Sequence, residues 1–202
     1  MNILINASNL KAGGGLQVAD SVCCQLPRYV EHQFVVVLSN YMAHTKGRLV
    51  GSSNVTIVEH NIKNNLSTLL LGRDKVLDRM VKDYNIDAVL TVFGPSRWNP
   101  RAPHLSGFAM PHCVLPDSPY FTKMGALQRA RWKFKSWLWT FYFWRSASTF
   151  WTENPYISKK LAVLLGGSVE LTGGGYFFSL DFREKNIALE AGCSFWGRRA
   201  AA

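Results

Sequence analysis

Gly13, Gly14 and Gly15 follow a short apolar run at 2–6 and lead into Leu16, Gln17, Val18 and Ala19. A strand that passes through glycines into a helix leaves bare backbone amides at the helix start, and these can face an anionic group with no side chain in the way. A phosphate site is therefore physically available. The spacing is neither G-x-G-x-x-G nor G-x-x-x-x-G-K-[ST], so the dinucleotide and P-loop readings both fail on their own terms. Taken by themselves, the three glycines fit a flexible turn somewhat better than a ligand cradle.

The second chemically unusual stretch is 125–145. Arg129, Arg131, Lys133 and Lys135 stand in its first half, among and ahead of Trp132, Trp137, Trp139 and Trp144. Cations and indoles on a helix too short and too charged to span suit the boundary of an anionic bilayer, where rings sit among headgroups and cations meet lipid charge. The same residues also suit an interior helix with its aromatics on a sheet and its cations in water, and a distribution of rings around the whole helix favours that reading. Single-stranded nucleic acid, stacked on the rings, is a weaker third partner. The basic residues are confined to one helix, and no recognised nucleic-acid motif accompanies them.

These residues need elements to position them. Runs rich in Val, Ile and Leu at 2–6, 33–39, 54–59, 87–91, 104–109 and 148–152 are separated by segments long enough for a helix, the pattern of a parallel sheet covered on both faces. Residues 15–26 carry Leu16, Ala19, Val22, Cys23 and Leu26 at helical spacing, closed by Pro27. Residues 69–85 also read as one helix, with Leu70, Val76, Leu77, Met80, Val81 and Tyr84 as the expected buried face. In a doubly wound sheet, ligands gather at the carboxyl ends of the strands. The loops at 7–15, 93–98 and 110–122 are therefore the expected functional segments. From Gly166 onward the alternation fades into an irregular tail.

The chain has 202 residues, 48% of them hydrophobic, enough for one domain with a buried core. A formal charge of +10 favours an anionic partner: a lipid surface, a phosphate-bearing substrate or nucleic acid. Cys23, Cys24, Cys113 and Cys193 show no metal-ligand spacing and read as reduced, packed thiols; no metal site is expected. Met1 leads directly into a strand-like run with no basic leader and apolar core, so a cytoplasmic location is expected. The sequons at Asn54 and Asn65 are then chance matches. No uncharged apolar window approaches the roughly 18 residues of a spanning helix.

The apolar run at 2–6, the loop Lys11, Ala12, Gly13, Gly14, Gly15 and the helix start Leu16, Gln17, Val18, Ala19 resemble the opening of nucleotide-sugar-dependent glycosyltransferases of the GT-B fold. The similarity is to the retaining group found in polysaccharide and cell-envelope assembly. It continues through 91–96, through 107–112 and into Phe150, Trp151, Thr152, Glu153 and Asn154. It covers about residues 1–165, on motifs that gain weight from appearing in order.

The resemblance implies a Rossmann-like three-layer α/β/α domain with a mostly parallel sheet over 1–165, the acceptor-side half of such an enzyme. Residues 166–202 would then be the truncated start of, or a replacement for, the donor-binding domain. It also implies that Gly13, Gly14 and Gly15 lie beside the donor phosphates and that His112 contacts the transferred sugar. Asp117, on the same loop, would orient an imidazole or an acceptor hydroxyl, or else cap a turn with Ser118 and Pro119. The implied partners are a sugar nucleotide and a saccharide or lipid-linked acceptor, with no separate cofactor. In the family, leaving-group charge is stabilised largely by a basic pair and two glutamates of the second domain. Glu184 and Glu190 do not reproduce that spacing, so the chain by itself is expected to transfer no sugar. The alternative is a non-catalytic sugar- or phosphate-binding module on a membrane surface.

Overall fold

The first five apolar runs each become a strand in the computed structural model: β1 (Asn2–Ala7), β2 (Gln33–Leu38), β3 (Val55–Glu59), β4 (Ala88–Thr91) and β5 (His104–Gly107). The structure describes residues 1–116, 118–147, 149–165, 168–172 and 175–179. The chain divides into two units, Met1–Gly107 and Phe108–Ala202. In the first, the strands lie in the order β3-β2-β1-β4-β5, and every pairing among them is parallel.

That order dictates the layers. From β1 the chain moves outward to β2 and β3, then returns past β1 to β4, so right-handed crossovers put the helices of the two halves on opposite faces. Helix α1 (Gly14–Gln25) and helix α2 (Ala43–Leu49) cover one face, tied together where Thr45 Oγ1 donates to Asp20 Oδ1 at 2.8 Å. Helix α3 (Lys75–Asp83) covers the other, packing Leu77 and Met80 against Leu4, Val35, Val37 and Val89. Burying each such side chain stabilises the fold by roughly 1.5–3 kcal/mol. The result is an α/β, Rossmann-like three-layer arrangement, as the alternation of runs leads one to expect.

Helix α3 is shorter than the periodicity of 69–85 suggests. A π-helical turn at Ser67–Leu71 ends at Gly72, whose φ of 66° is left-handed, and the chain restarts at Asp74. There the Asp74 carboxylate accepts from the amides of Val76 and Leu77, at 3.0 and 3.2 Å, capping the new helix. Leu70, Val76 and Tyr84 are consequently exposed; only Leu77 and Met80 of the expected face are buried, with Val81 partly so. Trp98 fills the space instead, fully buried with its indole N–H on Asp78 Oδ1 at 3.0 Å.

The second unit carries α4 (Pro111–Val114), α5 (Pro119–Thr122), the long α6 (Ala126–Ser146), strand β6 (Thr149–Thr152) and α7 (Pro155–Leu165). Strands β7 (Ser168–Thr172) and β8 (Gly175–Ser179) then form an antiparallel hairpin, β8 pairing antiparallel with β6 as well. Both fall in the segment read from sequence as an irregular tail; 180–202 lie outside the described residues. Phe108, Val114, Phe143, Phe150, Leu161 and Leu165 form the core here.

Candidate functional site

The strand order reverses between β1 and β4, so the crevice outside their carboxyl ends is where this architecture places ligands. Asn6 closes β1. Its Oδ1 accepts from the Ser8 amide at 3.2 Å and the Ser8 hydroxyl at 2.5 Å, which turns the chain out of the sheet by the local bonding that Asn favours. Its Nδ2 donates to Thr91 Oγ1 at the end of β4, 3.2 Å away, and Thr91 Oγ1 is in turn 2.8 Å from His104 Nε2. Asn6, Ser8, Thr91 and His104 are all buried. A line of hydrogen-bonded polar groups thus crosses three strands through an otherwise apolar sheet.

The loop beyond continues in kind. Asn9 Nδ2 donates to the Phe93 carbonyl at 2.7 Å, joining the loops that follow β1 and β4. Asn9 Oδ1, the Ser39 hydroxyl just past β2 and the Ser106 hydroxyl of β5 are buried with no hydrogen-bond partner. Buried polar atoms are satisfied in the great majority of cases, so three unsatisfied ones around the same sheet's carboxyl ends mark this edge as polar ground.

Gly13, Gly14 and Gly15 lie at this edge, where α1 begins. Gly13 is its N-cap, with φ of 77°, a value that L side chains rarely adopt. A side chain added at Gly14 would meet nothing within 4 Å, whereas one at Gly15 would come within 3.5 Å of Leu10 and Phe93. No side chain caps the helix, and its first turn carries no acidic residue, so its leading amides are not neutralised from within. Chemically, the uncapped backbone amides at this edge can donate to an anion, and its Asn and Ser side chains are of a kind that bonds hydroxyls.

His112 belongs to the second unit and has a different setting. It sits on the short α4 with Trp132 and Trp139 of α6 edge-to-face, both ring centroids 5.3 Å away, while Lys135 Nζ lies 4.9 and 4.4 Å from those same indoles. Its Nε2 is buried with no partner. Burial, and next the Lys135 charge, hold the imidazole below its ordinary value, favouring the neutral ring that can accept a proton. A cavity of about 320 Å³ adjoins it, lined also by Phe121, Arg129, Trp132, Lys133 and Ser136. Two cations, an aromatic wall and a neutral imidazole suit an anionic ligand with an apolar face. Asp117, its expected neighbour, lies outside the described residues.

The thiols are not poised for chemistry. Burial pushes Cys23 up to about 12 and Cys113 up to about 11, so both stay protonated near neutrality. Cys24 is also raised, by burial first and then by Asp20. Cys193, Glu184 and Glu190 lie outside the described residues. Among the described residues, no group of three or more His, Cys, Asp or Glu could hold a metal, and no helix is long and apolar enough to cross a membrane.

Sequence reasoning located the glycine loop and His112 but not the Asn6, Thr91 and His104 line or the indole pair around His112. The first had a signal: Asn6 and Thr91 each close an apolar run with a polar residue. The second had none, because which face of a helix meets a histidine of another helix is a tertiary fact. Neither a protein-family model nor a curated protein matches the chain.

Proposed function

We propose that this chain is the acceptor-side half of a glycosyltransferase that moves a sugar from a sugar nucleotide to a saccharide or lipid-linked saccharide, working at the cytoplasmic face of a membrane. The observation that carries the reading is the polar edge where the strand order reverses: an uncapped helix start at Gly13, Gly14 and Gly15 beside the buried Asn6 and Ser8 and the half-buried Asn9. Backbone amides would hold phosphate there, and amide and hydroxyl side chains would meet saccharide hydroxyls. His112, kept neutral, would serve the transferred sugar or its acceptor as a hydrogen-bond partner or base. The ordered resemblance over 1–165 supports the same reading. Diphosphate, then a panel of sugar nucleotides, should be titrated into isotope-labelled protein. Amide shifts concentrated at Gly13, Gly14, Gly15 and Leu16 are the expected result, and shifts absent from that loop at millimolar ligand, about the weak end of useful affinity, would remove the reading.

A second reading is a non-catalytic sugar- or phosphate-binding module on the same surface. It is favoured by the cavity beside His112, whose described lining offers cations and rings but no carboxylate. Binding without transfer, in the presence of a lipid-linked acceptor, would select it.

A further inference from the structure

The rings of α6 do not encircle it evenly; they fall on two opposite faces. One turns inward, with Trp132 and Trp139 against His112 and Phe143 against Phe108 and Phe150. The other is bare. Leu127, Phe134, Trp137, Phe141 and Trp144 are spaced seven, three, four and three apart, which places them on roughly 100° of the helix circumference at 3.6 residues per turn. Leu127 is 70% exposed, Phe134 64%, Trp137 63% and Trp144 49%. The rings run along the helix in contact with one another: Phe134 on Trp137 at 5.9 Å, Trp137 on Phe141 at 6.4 Å, Phe141 beside Trp144 at 6.5 Å. This is on the order of 400 Å² of contiguous aromatic surface left in water, the scale at which a patch marks an interaction site.

The charge around it chooses the occupant. No Asp or Glu occurs from 118 to 152, while Lys123, Arg129, Arg131, Lys133, Lys135 and Arg145 all do. On the helical wheel Arg131 and Arg145 border the stripe on one side and Lys133 and Arg129 on the other. A second copy laid on this face would bring the same cations together with no acid to offset them, so self-association is disfavoured. A bilayer surface carrying anionic headgroups meets both demands, apolar depth for the rings and negative charge for the flanks, and a helix that cannot span would lie in its plane.

We propose that α6 is an in-plane docking helix, inserting Phe134, Trp137, Phe141 and Trp144 into the headgroup region of an anionic membrane while its inward face stays packed in the protein. This deepens the membrane part of the proposed function and rests on that part alone, not on glycosyl transfer.

The test is flotation of the full chain with phosphatidylcholine vesicles, with and without about one quarter phosphatidylglycerol. The protein should float with the anionic vesicles only. Trp137→Ala with Trp144→Ala should lower the bound fraction about tenfold or more, at unchanged circular dichroism, because both residues are exposed. Gly14→Val should leave flotation unchanged, so that failure of the glycine-loop reading is separable from failure of this one. Lipids brominated along the acyl chain should quench tryptophan emission of the unaltered protein, which needs no variant to fold. The proposal is overturned by undiminished binding of the double variant, by absent quenching, by loss of monomer through the stripe in sedimentation, or by a single-stranded oligonucleotide that displaces the vesicles.

Discussion

Asn6 donates across 3.2 Å to Thr91, joining the carboxyl ends of the two strands between which the sheet reverses its order. The two are register partners in the β1 and β4 ladder, so their side chains leave the sheet on the same face. Thr91 is the middle of the line, accepting from Asn6 and meeting His104 at 2.8 Å. Val has the same shape without the hydroxyl. Thr91→Val should therefore strand the Asn6 amide in a buried site and cost about 1–3 kcal/mol of stability, read as a lower midpoint in urea at unchanged slope. A change below about 0.5 kcal/mol would mean that the line is solvated and contributes nothing to the sheet.

Asp74 performs two tasks with one carboxylate. Oδ1 caps α3 through the amides of Val76 and Leu77, and Oδ2 lies 3.0 Å from His60 Nε2, which pins the loop after β3 to the helix start. Asp74→Ala removes both and should cost about 2 kcal/mol, at the upper end for a lost cap. Asp74→Asn keeps a capping oxygen and should recover most of that loss. Equal destabilisation by the two would show that the carboxylate's contact with His60, and not the cap, is what matters.

The parallel core was legible because its signal is local: β1 to β4 are short runs rich in Val, Ile and Leu, β5 is a shorter run around Leu105, and each is found within two residues of where its run lies. Helix α2 was missed because Ala43, His44, Thr45 and Lys46 give no apolar stripe; Thr45 and Leu49 alone are buried from it. The antiparallel pair of β7 and β8 was missed because the glycines in this part of the sequence read as breakers of any regular element. The glycine loop was visible because glycine carries its conformational meaning in its identity. His112 was visible only through resemblance, and its surroundings depend on which rings of α6 turn inward, which the composition of a helix aromatic on both faces does not specify.

The glycines of the loop are not equivalent, and the difference separates a turn from a cradle. Gly13→Ala forces a side chain into φ of 77° and should cost about 1–3 kcal/mol whatever the loop does. Gly14 faces open space, so Gly14→Ala should be neutral or stabilise slightly, by less than about 1 kcal/mol, through a less flexible unfolded chain. If the amides hold phosphate, Gly14→Val should weaken diphosphate binding at unchanged melting temperature. Unchanged binding would leave the loop as a turn and nothing more.

His112 should make the stability of the chain sensitive to mild acid. Its folded form resists protonation, held below the ordinary 6.5 first by burial and then by Lys135, while the unfolded chain takes a proton at the ordinary value. Stability from this group is therefore complete above 6.5 and declines as pH falls from there toward the lower folded value, below which both forms are charged. Among the described residues, Trp132 and Trp139 meet the ring and do not titrate, Arg129 and Lys133 line the adjoining cavity as permanent cations, and burial followed by the Lys135 ammonium sets the direction of the effect. Melting temperature should fall more steeply for the unaltered chain than for His112→Gln between about pH 7 and pH 5, the remaining histidines being common to both. Lys135→Met should leave the onset of that fall where the unfolded chain sets it and raise its lower end, because removing a neighbouring positive charge eases protonation of the folded ring; the window narrows and the total loss becomes smaller. Parallel curves for the unaltered chain and His112→Gln would show that the imidazole is solvated, and would take with it the case for a neutral His112 beside the cavity.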